Sequence, residues 1–271
     1  LNDPAINQAI EYTLGIWEDQ LATEVPIRVN IVFLPVLPGF LGRSIPNGRK
    51  NFPGAPLAEV WYPTSLAKAI QGQDINPGEF DMDILIDGGA NWYFGTDGNP
   101  GPNQFDFPTV LLHEVCHSLG FGSIGGINGD LGAFGITSQV TGGASTSFPI
   151  PDLEGRPSIF DVFMVNGSHE SLVDSSLFSN NSLDLGEAFT SEQLFFGGNQ
   201  TQSLNQNTKL PLHAPRIYAE GSSLSHIKVD TYIPGEPNGL MEPFFDPGEV
   251  IHEPGPVILA VLEDLGWTIK S

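Results

Sequence analysis

The sequence predicts an α+β fold with a mixed sheet, and three observations predict it. In the first 120 or so residues, apolar positions at helical spacing alternate with short runs of branched residues. The chain of 271 residues holds 32 glycines and 23 prolines, about a fifth of its length against an average near ~12%, which requires many turns and excludes a helical bundle. Hydrophobic residues make up 40%, enough for one large domain or two small lobes around a shared core, which argues against disorder of the whole chain.

The elements follow in order. Over residues 7–21, Ile10, Leu14, Ile16, Trp17 and Leu21 fall near helical spacing, and residues 27–37 then read as a buried strand. Residues 63–70 predict a second helix, with Pro63 suited to a first turn and Leu66, Ala67 and Ile70 on one face. Residues 83–87, with Ile84, Leu85 and Ile86 together, predict a further strand. A third helix is expected over residues 107–119, with Asp106 as its cap, Pro108 in the opening turn and Gly120 in a left-handed conformation after the last turn. The stretch 124–220 is too long for a plain loop and predicts hairpins.

Composition limits the partners. A net charge of −22, from 32 acidic against 10 basic residues, argues against a polyanion such as nucleic acid, because phosphate contacts need clustered Lys and Arg. The first reading of this acidity is a solvated surface, the second a set of carboxylates for Ca²⁺. Asp97, Asn99 and Asp106, among glycines, form the local candidate, against an ordinary polar turn. No run approaches the ~18 apolar residues of a membrane span. The chain starts at Leu1 without an initiator Met, as expected if a leader, with or without a pro-segment, is absent. Cys116 is the single cysteine, so no internal disulfide forms; it reads as a small buried residue. Asn166, Asn180 and Asn199 open sequons that matter only in a glycosylating source.

The chemistry lies on the third helix, where His113, Glu114 and His117 form His-Glu-x-x-His. Residues four apart differ by only about 40° around a helix axis, so both imidazoles can reach one Zn²⁺ at ~2.0–2.1 Å. Glu114 falls beside the metal, placed to take a proton from water. Catalytic zinc takes three protein ligands as a rule. No downstream glutamate sits in a helical metal pattern. His213, in the Pro-flanked segment Pro211-Leu-His-Ala-Pro215, and His226 are the rival histidines, while His169 and His252 read as loop-surface residues.

The helix resembles the metzincin metallopeptidases, whose pattern is His-Glu-x-x-His-x-x-Gly-x-x-His. Gly120 matches the glycine, but the last position is Ser123, a poor zinc ligand. Leishmanolysin and its bacterial relatives are similar in another way: the chain leaves the helix at Gly-Phe, here Gly120-Phe121, and returns the third histidine after a long insertion. Gly221-Ser-Ser-Leu-Ser-His226, then Asn238-Gly-Leu-Met-Glu-Pro243, looks like that ligand and the methionine turn, and residues 254–267 resemble the final helix. The resemblance runs from Trp61 to Trp267 in scattered motifs.

This resemblance implies His226 as third ligand and Met241 as a hydrophobic base under the metal. It implies a metzincin-like two-lobed catalytic domain over 1–271. The upper lobe, 1–122, would hold a twisted mixed sheet and the active-site helix; the lower, irregular lobe, 123–271, would hold the insertion 124–220, the methionine turn and the C-terminal helix. An extended peptide would pair with a sheet edge, for which residues 84–90 are the candidate, with Gly88 and Gly89 allowing close approach. The expected protein is a secreted, extracellular, monomeric Zn²⁺-dependent endopeptidase acting on protein or peptide substrates, with Glu114 as general base. The tyrosine that follows the methionine turn in many metzincins is replaced by Glu242 and Pro243, so that helper is absent or supplied from elsewhere, and zinc alone can carry the oxyanion. The alternative is a non-catalytic adhesion or binding module with a structural zinc, which would be expected to lose Glu114.

Overall fold

A computed structural model describes residues 3–35, 39–135, 153 and 155–270. Helix α1 (Pro4–Gln20) begins earlier than its apolar spacing suggests, because Asp3 accepts a hydrogen bond from the Ala5 amide and Pro4 opens the first turn. Its buried stripe is Ala9, Thr13 and Trp17, four residues apart. The Trp17 indole donates to the Leu112 carbonyl at 3.2 Å, which ties α1 to the third helix.

Strand β1 (Val29–Leu34), strand β2 (Gly42–Pro46) and strand β3 (Met82–Asp87) form one sheet in the order β1-β3-β2. β1 runs parallel to β3, Ile31 opposite Ile84, and β2 runs antiparallel to β3, Ser44 opposite Ile84. Met82, Ile84 and Ile86 are fully buried on alternating positions of β3, as a strand covered on one face requires. The expected edge over residues 84–90 is therefore a misreading: β3 is the central strand, and β1 and β2 are the two edges. β2 escapes the hydrophobic pattern because Gly42-Arg-Ser-Ile-Pro46 carries a single branched apolar residue. The main chain at Gly88 is already used, its amide donating to the Leu34 carbonyl at 2.6 Å.

Helix α2 (Thr64–Gln71) ends on Gly72 at φ 65°. Helix α3 (Phe107–Ser118) has nearly every residue buried. Asp106 caps it, accepting from the Thr109 amide at 2.9 Å and the Thr109 hydroxyl at 2.7 Å. At its end Gly120 has φ 121°, and a Cβ there would stand 3.1 Å from the Leu265 side chain and 3.4 Å from Pro63, so both conformation and space call for glycine.

The insertion has structure of its own. Strands β4 (Gly125–Asn128) and β5 (Leu131–Phe134) form a hairpin. Helix α4 (Ile159–Val162) starts on a capping box of Ser158 and Asp161. Strand β6 (Met164–Asn166), helix α5 (Leu183–Phe189), strand β7 (Leu194–Phe196), helix α6 (Asn199–Leu204) and strand β8 (Leu210–Leu212) follow. β6, β7 and β8 pair as an antiparallel sheet.

The last helix, α7 (Pro256–Leu265), runs to Trp267, whose indole donates to the Leu119 carbonyl at 2.7 Å. Beyond it, Lys270 and Ala22 exchange main-chain bonds with Gln20 and Thr268, closing the C-terminal segment onto the end of α1. One contiguous buried core runs from Ala9 to Trp267. The architecture is mixed α and β with small sheets, in keeping with an α+β class. No helix among the described residues is long and apolar enough to cross a membrane.

Candidate metal centre

Helix α3 presents His113 and His117 from one face, as the four-residue spacing requires. The chain then turns at Gly120-Phe121, and the third imidazole, His226, arrives 109 residues after His117. The three Nε2 atoms stand 3.0, 3.2 and 3.2 Å apart. Ligand atoms around a tetrahedral ion with ~2.0–2.1 Å bonds lie ~3.3–3.4 Å apart, so the triangle matches one small cation.

The protonation pattern points the same way. His113 Nδ1 meets the Leu240 carbonyl at 2.7 Å, His117 Nδ1 the Phe121 carbonyl at 2.6 Å, and His226 Nδ1 the Ser222 carbonyl at 2.8 Å. A carbonyl only accepts, so each Nδ1 carries the proton and each neutral ring turns an Nε2 lone pair inward. Three lone pairs within hydrogen-bond distance repel unless a cation sits among them. Burial also keeps the rings neutral: it holds His113 down to about 3 and His117 to about 4, and it holds His226 well below its ordinary range. Among the described residues, these three form the one cluster of His, Cys, Asp and Glu side chains fit to hold a metal.

The His226 segment and the Met241 turn are locked to each other. The Leu240 carbonyl that orients His113 belongs to a 3₁₀ turn, Pro237–Met241. Met241 is fully buried, and its carbonyl accepts from the Ile227 amide at 2.8 Å, one residue past His226. Gly221, at φ 82°, opens the turn in which the Ser222 and Ser223 amides donate to Ala219, leaving the Ser222 carbonyl free to hold His226. Ser123 is not near a ligand role: its amide donates to the Ser225 hydroxyl at 3.1 Å, which fastens the helix exit to the residue before His226.

Glu114 is 6% exposed, and burial pushes its carboxyl up to about 8, with Arg43 opposing the shift. It stands under edge strand β2, close against Gly42. The Phe245 ring meets His113 edge to face at 5.3 Å.

The rival histidines lie elsewhere. His213 exchanges main-chain bonds with the third-ligand segment, its amide donating to the His226 carbonyl at 2.8 Å, while its ring faces Phe244. His169 is exposed, as expected. His252 is not the loop-surface residue expected of it: its Nε2 meets the Asp106 carboxylate at 2.7 Å and Tyr12 packs on its ring. The cause is the buried Asp106 at the head of α3, which draws in a donor from a distant segment. Asp106 Oδ2 thus serves the helix cap and His252 while its Oδ1 is buried without a hydrogen-bond partner, and Asp97 accepts from Tyr93 and the Asn99 amide. Cys116 is a free, fully buried thiol. Sequence reasoning missed Gly42, Ser225 and Phe245; a glycine within a short strand was the one available signal, since it marks a close approach.

A family described as SPBPB7E8-like matches residues 59–131, the stretch that includes α3. The chain is similar to an uncharacterized protein, PB7E8.01, of Schizosaccharomyces pombe, at 24% identity over 78% of this chain. The chain spans about half the length of that curated relative, 47%. No solved structure matches.

Proposed function

We propose that this chain is a zinc-dependent endopeptidase in which His113, His117 and His226 hold the metal and Glu114 is the general base. The observation that carries the reading is the convergence of three Nε2 atoms, two of them from the helix that also carries the buried Glu114. When bound, zinc supplies Lewis acidity that polarises a carbonyl and brings the pKa of water toward ~7. A bound cation would favour the charged carboxylate and offset the burial that raises Glu114, which would then take a proton from the attacking water and return it to the leaving amine. The carbonyls of Leu240, Phe121 and Ser222 hold the ligand rings in the tautomer that coordination needs.

Edge strand β2 fits an extended substrate. Asp87 donates to the Leu41 carbonyl and Asn47 to the Asp81 carbonyl, so odd-numbered residues of β2 face β3. The alternation then turns the main-chain groups of Gly42 and Ser44 outward, where a peptide strand can pair. Taken with the motif resemblance, the proposal extends to a metzincin-like two-lobed catalytic domain of the leishmanolysin type, with Met241 in the methionine turn, acting outside the cell on protein or peptide substrates.

The test is hydrolysis of casein or gelatin with metal content measured on the same preparation. The purified protein should hold about one zinc per chain and lose activity to a chelator. Glu114→Gln should keep the zinc while activity falls by ~10²–10⁴-fold or more, the cost of a lost general base. Undiminished hydrolysis by that variant would sink the mechanism, and a zinc-loaded wild type without hydrolysis would favour the binding module.

A further inference from the structure

Strand β2 and helix α3 touch in register. Gly42 and Ser44, two apart on the strand, point to one face of the sheet, and Glu114 and Ser118, four apart on the helix, line the opposing face. The Ser44 hydroxyl is hydrogen-bonded to the Ser118 hydroxyl. Two residues earlier on the strand and four earlier on the helix, Gly42 lies over Glu114. A Cβ built on Gly42 would stand 2.7 Å from Glu114 Cγ, 2.7 Å from its Oε1 and 2.9 Å from its Cδ. Real Cβ contacts do not come this close, so something must move.

Conformation does not explain the glycine. Gly42 is absent from the positive-φ positions of the chain, and its main chain is ordinary ladder backbone paired with Ile86, which any L-residue adopts. What is special is the space, and the three nearest atoms all belong to the Glu114 side chain. A side chain is softer than a packed strand, so the added carbon would displace the carboxylate while strand and helix stay in place.

We infer that Gly42 is the positioning residue of Glu114: its bare α-carbon is the seat against which the carboxylate stands. The inference rests on the reading of Glu114 as general base, but the contact itself can be tested without activity. Gly42 touches neither the metal ligands' nitrogens nor the reacting atoms in this role; it acts through Glu114.

The experiment is a double-mutant cycle of Gly42→Ala and Glu114→Ala, read by thermal unfolding, zinc content and peptide hydrolysis. Gly42→Ala alone should lower the melting temperature by ~3–8 °C, the scale of an overpacked contact in a chain of this size. In the Glu114→Ala background the same substitution should cost little, since the clash partner is gone. An equal loss in both backgrounds would overturn the inference, because the added carbon would then be meeting something other than Glu114. If Gly42→Ala fails to fold, the double variant should fold; its failure to do so would also overturn the inference. In the active protein, Gly42→Ala should keep about one zinc per chain and leave KM nearly unchanged while kcat falls by about 10²-fold. A retained kcat would show that the carboxylate finds its place without this seat. A wild type with no hydrolysis would remove the general-base reading, while the unfolding cycle would still decide the Gly42–Glu114 contact.

Discussion

At the scale of single residues, the site turns on which distant imidazole faces the helix. His213 and His226 pair through their main chains, but only the His226 ring reaches His113 and His117. His226→Ala should therefore lose metal by more than the ~10–100-fold that removal of an outer partner costs, while His213→Ala and His169→Ala retain it. Zinc titration of the purified variants checks this, and a metal-replete His226→Ala protein would reassign the third position. The helix pair was legible in the sequence because its spacing is local. The choice between His213 and His226 was open to the residues themselves, since spacing says nothing about rings brought together from 109 positions apart.

At the scale of elements, the turn leading out of α3 is propped by α4. The Asp161 carboxylate accepts from the Ser158 amide at 2.8 Å and the Ile124 amide at 3.4 Å, yet burial outweighs these bonds and pushes its carboxyl up to about 6. A carboxyl raised in the folded chain ionises first in the unfolded one, at about 4. Between pH ~4 and ~6 the folded chain thus binds more protons, and stability contributed by this group is lost as pH rises through that window. Asp161→Asn removes the slope: its stability relative to wild type should improve from pH ~4 to ~6 by up to about 3 kcal/mol. Urea unfolding at several pH values measures the difference, and a flat difference would show that Asp161 is ionised at little cost. The edge strand β2 was illegible for a different reason. Its one apolar branched residue gives no two-residue period, and it exists as a strand because β3 pairs with it.

At the scale of the whole molecule, the three imidazoles join the first half of the chain to its last fifth, so a bound ion would clip segments that are far apart in sequence. Zinc at about 100 times its dissociation constant should stabilise the fold by ~2.7 kcal/mol, and a chelator should reverse this. Thermal unfolding with and without metal reads the effect; His226→Ala should abolish it, and an unshifted wild type would mean that the triad binds nothing tightly. The amino-acid sequence by itself determined what depends on near neighbours: helix α3 with its Asp106 cap, Pro108 turn and Gly120 exit, the two helix histidines, and Glu114 between them. Tertiary structure alone decided that β3 is central, that Gly42 lies over Glu114, that His252 reaches Asp106, and that the Leu240 carbonyl orients His113. These are contacts between residues tens to hundreds of positions apart, and their energies come from burial and from hydrogen bonds satisfied across the core, which no local period records.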